Sequence, residues 1–386
     1  MADLTGIPRL TIEPSGRTEF GPGVVAALPS FVASLGHSRA FVVTDRALRA
    51  TGIVNRIETI LDAEGITSAT YEDIGPNPPT TEVDRGAARL REFGSSVVVA
   101  LGGGSALDAA KGIALLAGNP GSCAADAGTL WEAGDGPPLI AVPTTAGTGA
   151  ETNGFGVIED PHARRKVYIG HSSVRPRIAV LDPELTLGLP SKVTAASGFD
   201  ALVHGIESLA SLGANPVSAA YATQAVTMLG QWLPVVYAEG GNLEARGSVM
   251  AAAHLAGHAL TLSGLGLVHG IGHALTAHAG IPHGVALATV MEEVMAFSAT
   301  AAADAYETTA RALRVMPSGG DWPGSAIEGV HRIAGLLEIK HRLRDLGVTT
   351  DQLPVIAADA VADAVTRNAP REPTESEVLD LLRSVW

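Results

Sequence analysis

The sequence predicts an α/β domain over residues 1–190, followed by an all-α domain over residues 191–386. As far as residue 181, short apolar runs rich in β-branched residues alternate with helical segments, which is the pattern of a parallel sheet covered by helices. After Pro190 such runs are scarce, and long stretches rich in Ala, Leu and Gly have helical periodicity. With 386 residues, the chain is also too long for one ordinary domain and fits two.

Each predicted element follows from local pattern. Buried strands are expected at residues 39–44, 69–71, 95–101 and 139–142, and further extended segments at 167–169 and 178–181. A hairpin is expected over residues 9–19, with its turn at Pro14, Ser15 and Gly16. Helices are expected over 21–35, between the first two strands, and over 81–93. In the second half they are expected over 194–211, 215–238, 242–260, 265–280, 284–314 and 325–345 and in a short tail, with a loop at 315–323.

Two of the strands lead into loops that suit a nucleotide. The strand over residues 95–101 runs into Gly102, Gly103, Gly104 and Ser105 and then a helix, so free N–H groups and a positive helix end would face a phosphate. Such a run is common in turns and is neither the GxGxxG nor the P-loop pattern, but its place between a buried strand and a helix favours phosphate binding. The strand over 139–142 leads into a loop with Thr144, Thr145 and Thr148, which is either a second nucleotide contact or an ordinary loop.

Residues 265–284 contain four of the twelve histidines. His269 and His273 are four residues apart and share one helix face, His278 is out of that register, and His283 follows a break at Pro282. A single histidine on an apolar helix is usually a hydrogen-bonded core residue. Several imidazoles with almost only Gly, Ala, Leu and Val around them are buried at the lowest cost around a shared cation.

A second segment places Asp200 and His204 at i and i+4 on one helix face. This spacing is also that of a simple Asp–His pair, and Glu207 on the same face is consistent with a face that is merely polar. A metal site requires Asp200, His204, His269 and His283 to converge. They would supply one carboxylate and three neutral imidazoles.

The net charge of −14 argues against nucleic acid or an anionic membrane as the main partner. The one compact basic run, Arg164, Arg165 and Lys166, is either a solvated turn or a contact to an anionic cofactor or substrate. Cys123 is the only cysteine, so no internal disulfide is expected. No signal-peptide pattern and no apolar run of about 18 residues is visible, which predicts a cytoplasmic protein without a membrane span.

Four motifs in order, GGGSALDAAK, PTTAGTGAE, ASGFDALVHGIES and LGLVHGIGHALTAHAGIPHG, resemble the iron-containing (group III) alcohol dehydrogenases, which include lactaldehyde reductase and propanediol dehydrogenase. The resemblance runs nearly end to end and includes Asp45 after the first strand, Pro76-Asn77-Pro78 and Asp182-Pro183. It implies a Rossmann-like N-terminal domain and a helical C-terminal domain, the dehydroquinate synthase-like fold. It also implies a homo-oligomer, most simply a dimer.

The resemblance implies roles residue by residue. Asp200, His204, His269 and His283 match the family's metal ligands, and His273 matches the histidine near the nicotinamide, as a proton relay or as a residue that orients a ligand. Fe²⁺ is the implied metal, with Zn²⁺ as the alternative. Asp45 matches the acid that meets the adenosine ribose, which favours NAD over NADP. The implied cofactor-binding residues are Asp45, Asn77, Gly102, Gly103, Gly104, Ser105, Asp108, Thr144, Thr145, Thr148 and Lys166.

The resulting hypothesis is a metal-dependent, NAD(P)-linked alcohol dehydrogenase or aldehyde reductase that acts on a small primary alcohol or aldehyde. Phe155, Leu260 and His278 are expected to line the substrate pocket, and the last two stand where lactaldehyde-reductase-like members carry aromatic residues. The alternatives are a metal-independent keto-acid reductase like the maleylacetate reductases, with an anion pocket from Arg164, Arg165 or His278, and a non-catalytic nucleotide- or metal-binding protein.

Overall fold

The computed structural model describes residues 12, 16–161, 165–317 and 319–386. The predicted hairpin turn at Pro14 and Ser15 lies outside the described residues. Eight strands are present within them. In chain order these are β1 (Arg17–Phe20), β2 (Arg39–Val43), β3 (Thr67–Tyr71), β4 (Val97–Gly102), β5 (Leu139–Pro143), β6 (Phe155–Asp160), β7 (Arg165–Gly170) and β8 (Ile178–Leu181).

Six of the strands form one parallel sheet, in the order β1-β8-β5-β4-β2-β3. Helices cover both of its faces, and in chain order they are α1 (Leu28–Ser34), α2 (Arg46–Ala50), α3 (Ile53–Ala63), α4 (Thr80–Phe93) and α5 (Gly104–Gly118). Because side chains alternate along a strand, β4 contributes to two cores. Val97 and Val99 pack with residues of α1 and α3, whereas Val98 packs with residues of α4 and α5. This double burial explains why the strands have continuous apolar sequences.

β6 and β7 form a separate antiparallel ribbon, with Phe155 opposite Gly170 and Asp160 opposite Arg165. The sequence analysis found only the β7 segment, because β6 has no long apolar run. The ribbon packs against α5 and carries Phe155, Lys166 and Tyr168 to one side of the site described below.

The second half consists of helices. They are α6 (Ser191–Ala210), α7 (Pro216–Ala238), α8 (Leu243–Ser263), α9 (Leu267–Ala279), α10 (His283–Ser298), α11 (Ala303–Ala312), α12 (Trp322–Leu336), α13 (Leu353–Ala362) and α14 (Glu375–Ser384). The α/β half followed by a helical half confirms the predicted fold class. The predicted boundary at residue 190 falls between β8 and α6 and stays a prediction.

Two predicted helices are wrong in extent. The helix predicted over 325–345 ends at Leu336, as α12. The stretch 284–314 is two helices, because α10 ends at Ser298 and α11 begins at Ala303. The residues between them contain neither Gly nor Pro, so local propensity gives no stop signal and tertiary packing decides the break. Among the described residues, no single helix is long and apolar enough to cross a membrane, although α8 and α9, joined at a bend of 105°, meet that length and composition together.

Candidate functional site

An open cleft of ≈ 380 Å³ lies where the carboxyl ends of the sheet strands meet the helical half. Gly104, Ser105 and Thr148 line it from the loops that follow β4 and β5. On the opposite side it is lined by Asp200 of α6 and His269 of α9. The cleft therefore joins the two glycine-rich loops to the predicted metal-binding residues.

The four predicted metal ligands come together around one carboxylate oxygen. Asp200 Oδ1 lies 3.2 Å from His204 Nε2, 3.5 Å from His269 Nε2 and 3.7 Å from His283 Nε2. Asp200 and His204 are one turn apart on α6, whereas His269 lies in α9 and His283 begins α10 after Pro282. Three helices thus aim one carboxylate and three imidazoles at one point.

The chemistry of these atoms fits a divalent cation. Asp200 Oδ1 and His269 Nε2 are buried and have no hydrogen-bond partner among the described residues. The ligand atoms of Asp200, His269 and His283 all lie within 4.8 Å of one another. Imidazole nitrogen together with carboxylate oxygen suits Fe²⁺ or Zn²⁺, and a cation there would satisfy both orphaned atoms.

Burial opposes charge on every member of this cluster, and the balance between burial and the neighbouring charges sets each protonation state. Burial would raise the pKa of Asp200, but attraction to His204 and His269 outweighs it and lowers that pKa below its usual value. Burial would lower the pKa of His269, but contacts with the carboxylates of Asp200 and Glu207 outweigh it and raise the pKa to about 9. For His204 burial prevails and lowers the pKa to about 4. A cation that displaces the proton of His269 would therefore meet neutral imidazoles and one carboxylate.

Glu207 fixes the orientation of His269. One carboxylate oxygen of Glu207 lies 2.6 Å from His269 Nδ1, and the other accepts the N–H of Val268 at 2.7 Å. The carboxylate therefore accepts a hydrogen bond from Nδ1 of His269, leaves Nε2 for the metal, and caps the first turn of α9. In the sequence Glu207 indicated only a polar helix face. Its position one and two turns beyond His204 and Asp200 is the signal that could have linked it to the site.

His273 is held by two residues that the sequence analysis did not identify. Its Nδ1 lies 2.8 Å from Asp363 Oδ2 and 3.5 Å from the hydroxyl of Tyr168, which in turn donates to Asp363 Oδ1 at 3.2 Å. Burial would raise the pKa of Asp363, but the hydrogen bond and charge of His273, together with hydrogen bonds from Val365 and Tyr168, outweigh it and lower that pKa, so Asp363 is a carboxylate. The His273 ring is stacked on that of His283, with their centroids 5.4 Å apart.

The two glycine-rich loops are in contact. The N–H of Thr144 donates to the carbonyl of Gly102 at 2.9 Å. A Cβ at Gly104 would lie 2.6 Å from the methyl group of Thr148, so only glycine lets the loops approach this closely. Gly103 is the N-cap of α5 and lies against Thr145. Gly104 and Ser105 in the first turn of α5 thus face the cleft with free backbone N–H groups.

Asp45 lies at the outer end of this loop pair. One of its oxygens caps α2 by accepting the N–H of Leu48 at 2.8 Å, and the other points toward Gly102. At the other end, Lys166 donates to the side-chain oxygen of Asn77 at 2.7 Å, and both residues line the cleft. Asp108 already has protein partners for both oxygens, the N–H of Val157 at 3.0 Å and Lys111 at 3.4 Å.

The protein family described as "Iron-containing alcohol dehydrogenase" matches residues 15–183 of the chain. The family described as "Fe-containing alcohol dehydrogenase family, C-terminal" matches residues 194–386. The chain belongs to the iron-containing alcohol dehydrogenase family. Its relatives in that family include the probable alcohol dehydrogenase EutG of Escherichia coli K12, 37% identical over 361 residues that cover 94% of this chain and 91% of EutG.

Two further comparisons describe the same relationship. The NAD-dependent methanol dehydrogenase of Bacillus methanolicus is 31% identical over 94% of this chain and 96% of that enzyme. The crystal structure of a 1,3-propanediol oxidoreductase superposes on this dehydrogenase with a TM-score of 0.93 at 32% identity, over 98% of this chain and 100% of that one.

The substrate side of the dehydrogenase's cleft differs from expectation at one position. Phe155 and Leu260 line the cleft, but His278 does not. Its Nε2 lies 2.6 Å from Asp359 Oδ2 of α13 instead. On α9, His269, His273 and Thr276 face the cleft, and His278 is two residues beyond Thr276, on a different face of the helix. Neither Arg164 nor the side chain of Arg165 is among the described parts of the chain. The anion pocket expected from these two residues therefore stays a prediction.

Proposed function

We propose that the chain is a metal-dependent, NAD-linked dehydrogenase that interconverts small primary alcohols and aldehydes. The observation that carries this proposal is the convergence of Asp200, His204, His269 and His283 inside the cleft that the glycine-rich loops also line. The names of two relatives, a methanol dehydrogenase and a 1,3-propanediol oxidoreductase, support a short alcohol as the substrate class.

The four ligands would hold Fe²⁺, or Zn²⁺ as the alternative, as a resident cofactor. Bound there, a divalent cation supplies Lewis-acid polarisation of the substrate oxygen. The protein prepares the site in two ways. Glu207 fixes the tautomer of His269, and burial keeps His204 neutral, so lone pairs rather than protons face the cation.

NAD would lie along the two loops. The backbone N–H groups of Gly104 and Ser105, at the start of α5, suit the pyrophosphate. Asp45 lies at the end of β2 next to Gly102, where an acidic side chain bonds ribose hydroxyls and repels a 2′-phosphate. This charge repulsion makes NADP the less suitable cofactor, and the name of the methanol dehydrogenase also supports NAD.

The substrate would lie between the metal ligands and the apolar side chains of Phe155 and Leu260. These two side chains exclude water from the reacting carbon. They offer the substrate apolar contacts only, which suits a short carbon chain. A cytoplasmic location and a homodimer remain predictions from the sequence. The keto-acid reductase alternative is weakened, because His278 pairs with Asp359 outside the cleft.

The test is metal analysis of anaerobically purified protein, paired with oxidation of NADH and NADPH in the presence of short aldehydes before and after chelation. We expect near-stoichiometric iron or zinc, faster turnover with NADH, loss of activity on chelation and recovery with Fe²⁺. Undiminished reductase activity in protein stripped of metal would contradict the proposal and favour a metal-independent reductase.

His273 is the proposed proton relay between the substrate oxygen and solvent. Asp363 holds its Nδ1, which leaves Nε2 to accept a proton on the cleft side. We expect His273→Ala to lower kcat by about 100-fold, the lower end of general acid–base effects, with metal content unchanged. Added imidazole should restore part of the rate. A loss of metal together with activity, and no rescue, would show that His273 only supports the ligands.

A further inference from the structure

A second histidine pair lies outside the cleft. His254 and His258 are one turn apart on α8, and their Nε2 atoms are 3.1 Å from each other. Two residues of the α/β half meet His254: the carboxylate of Glu151 lies 3.0 Å from its Nδ1, and the hydroxyl of Thr18 in β1 lies 3.1 Å from its Nε2. None of these four residues has a part in the reaction proposed above.

Without a cation, the two facing Nε2 atoms of His254 and His258 need a proton between them. Glu151 is buried, and burial would raise its pKa, but the hydrogen bond with His254 and the positive charges of His254 and Lys111 together outweigh burial and lower that pKa, so its carboxylate accepts a hydrogen bond from Nδ1 of His254. His254 Nε2 is then either one donor or one acceptor, yet both Thr18 and His258 lie 3.1 Å from it. The single lone pair or proton is shared between two partners.

The surroundings of His258 set the protonation state of its imidazole. Burial lowers the pKa of His258 to about 4, with further lowering by the neighbouring charges of His254 and Arg175 against the opposing effect of Glu151. Its imidazole is therefore neutral at physiological pH and has a lone pair to offer. Tyr221 of α7 stacks on the ring with centroids 5.4 Å apart and limits its rotation, and the ring remains partly accessible to solvent.

We propose that His254 Nε2 and His258 Nε2 bind a divalent cation of the zinc class, with Thr18 and water as the remaining ligands. Two imidazole nitrogens at bonding distance from one tetrahedral Zn²⁺ are about 3.3 Å apart, close to the 3.1 Å between these atoms. Glu151 completes the carboxylate–histidine–metal arrangement that orients a ligating imidazole. Imidazole ligation suits zinc, copper and nickel better than magnesium or calcium.

The histidine pair lies where α8 meets the cofactor loop and the edge strand β1. Glu151 immediately follows the loop that carries Thr148 into the cleft, and Thr18 belongs to the edge strand of the sheet. Gly149 of that loop packs so closely on Gly257 of α8 that a Cβ on it would lie 2.4 Å from the Gly257 Cα. A cation at His254 and His258 would therefore fasten α8 to the cofactor loop and to β1, and it would stabilise the junction of the two halves.

The test is a count of bound zinc in four proteins that are stripped with chelator and dialysed against excess Zn²⁺: the natural chain, His258→Gln, Asp200→Asn and the double variant. The glutamine keeps the size and polarity of the side chain but is a poor zinc ligand. We expect about two, one, one and zero equivalents respectively, because each variant removes one site. Saturating Zn²⁺ should raise the unfolding temperature of Asp200→Asn but not that of the double variant.

His331→Gln serves as the matched control, since His331 of α12 is an exposed histidine paired with Glu292 of α10. This variant should bind as much zinc as the natural chain. Equal zinc counts in the natural chain and in His258→Gln would overturn the proposal. The Asp200→Asn arm reports separately on the site in the cleft, so failure of the metal-dependent dehydrogenase and failure of this second site give different patterns.

Discussion

His269→Ala is expected to remove metal and turnover together. His269 is buried in the cleft wall, and its Nε2 faces Asp200 at 3.5 Å with no hydrogen-bond partner among the described residues. Its loss leaves an incomplete set of ligands and removes the imidazole partner of one Glu207 oxygen. Because Lewis-acid polarisation contributes several kcal/mol to such reactions, we expect kcat/KM to fall by about 1,000-fold or more. Metal analysis and steady-state kinetics on the same preparation measure both effects.

His278→Ala is the matched control, because it removes an imidazole from the same helix outside the cleft. It should leave metal content and kcat/KM close to those of the natural chain. Asp200→Asn adds a variant of unchanged shape, so that a folding defect in His269→Ala does not obscure the result. Full activity in metal-free His269→Ala would exclude the metal-dependent reaction, and equal losses in the two histidine variants would show that α9 is sensitive to any change.

The local part of this site could be predicted from the sequence. Asp200 and His204 are one helical turn apart, so periodicity placed them on one face, and the break at Pro282 suggested a turn that returns His283 toward His269. Their convergence depends on the packing of α6, α9 and α10, which no local pattern specifies. The resemblance to a known family supplied that step, together with the expected positions of the cofactor loops.

The residues that could not be identified from the sequence contact their partners across long sequence separations. Asp363 meets His273 across 90 positions, and Glu151 meets His254 across 103. Asp363 has no distinctive neighbourhood in the sequence, and Glu151 ends the PTTAGTGAE motif without any local sign of its histidine partner. The prediction that His278 lines the pocket failed for a related reason: the histidine-rich stretch is conspicuous, but the imidazole of His278 lies on a different helix face, against Asp359 and outside the cleft. Similarly, the end of α10 at Ser298 has no breaker residue and depends on how the helices pack.

Glu207→Ala is expected to cost the most stability among substitutions near the cleft. The carboxylate accepts the N–H of Val268 and pairs with Nδ1 of His269, and the N-cap position of α9 has no capping side chain of its own. Alanine would leave those buried donors without acceptors and His269 without its partner. Breaking a buried pair of this kind costs about 3–5 kcal/mol, which we expect in the free energy of unfolding measured with denaturant.

Glu207→Gln separates the role in stability from the role at the metal. Glutamine retains one oxygen for the backbone of α9 but can turn its NH₂ group toward Nδ1 of His269. The imidazole then accepts at Nδ1 and carries its proton on Nε2, the atom that faces Asp200. We therefore expect a smaller loss of stability but a metal affinity lower by about 10–100-fold, as is typical when the partner of a ligating histidine is changed. Glu292→Gln makes the same change on α10, where the carboxylate pairs with Lys340 and His331, and should leave metal affinity unchanged. Equal metal affinities in Glu207→Gln and the natural chain would show that Glu207 supports only the helix and does not set the tautomer of His269.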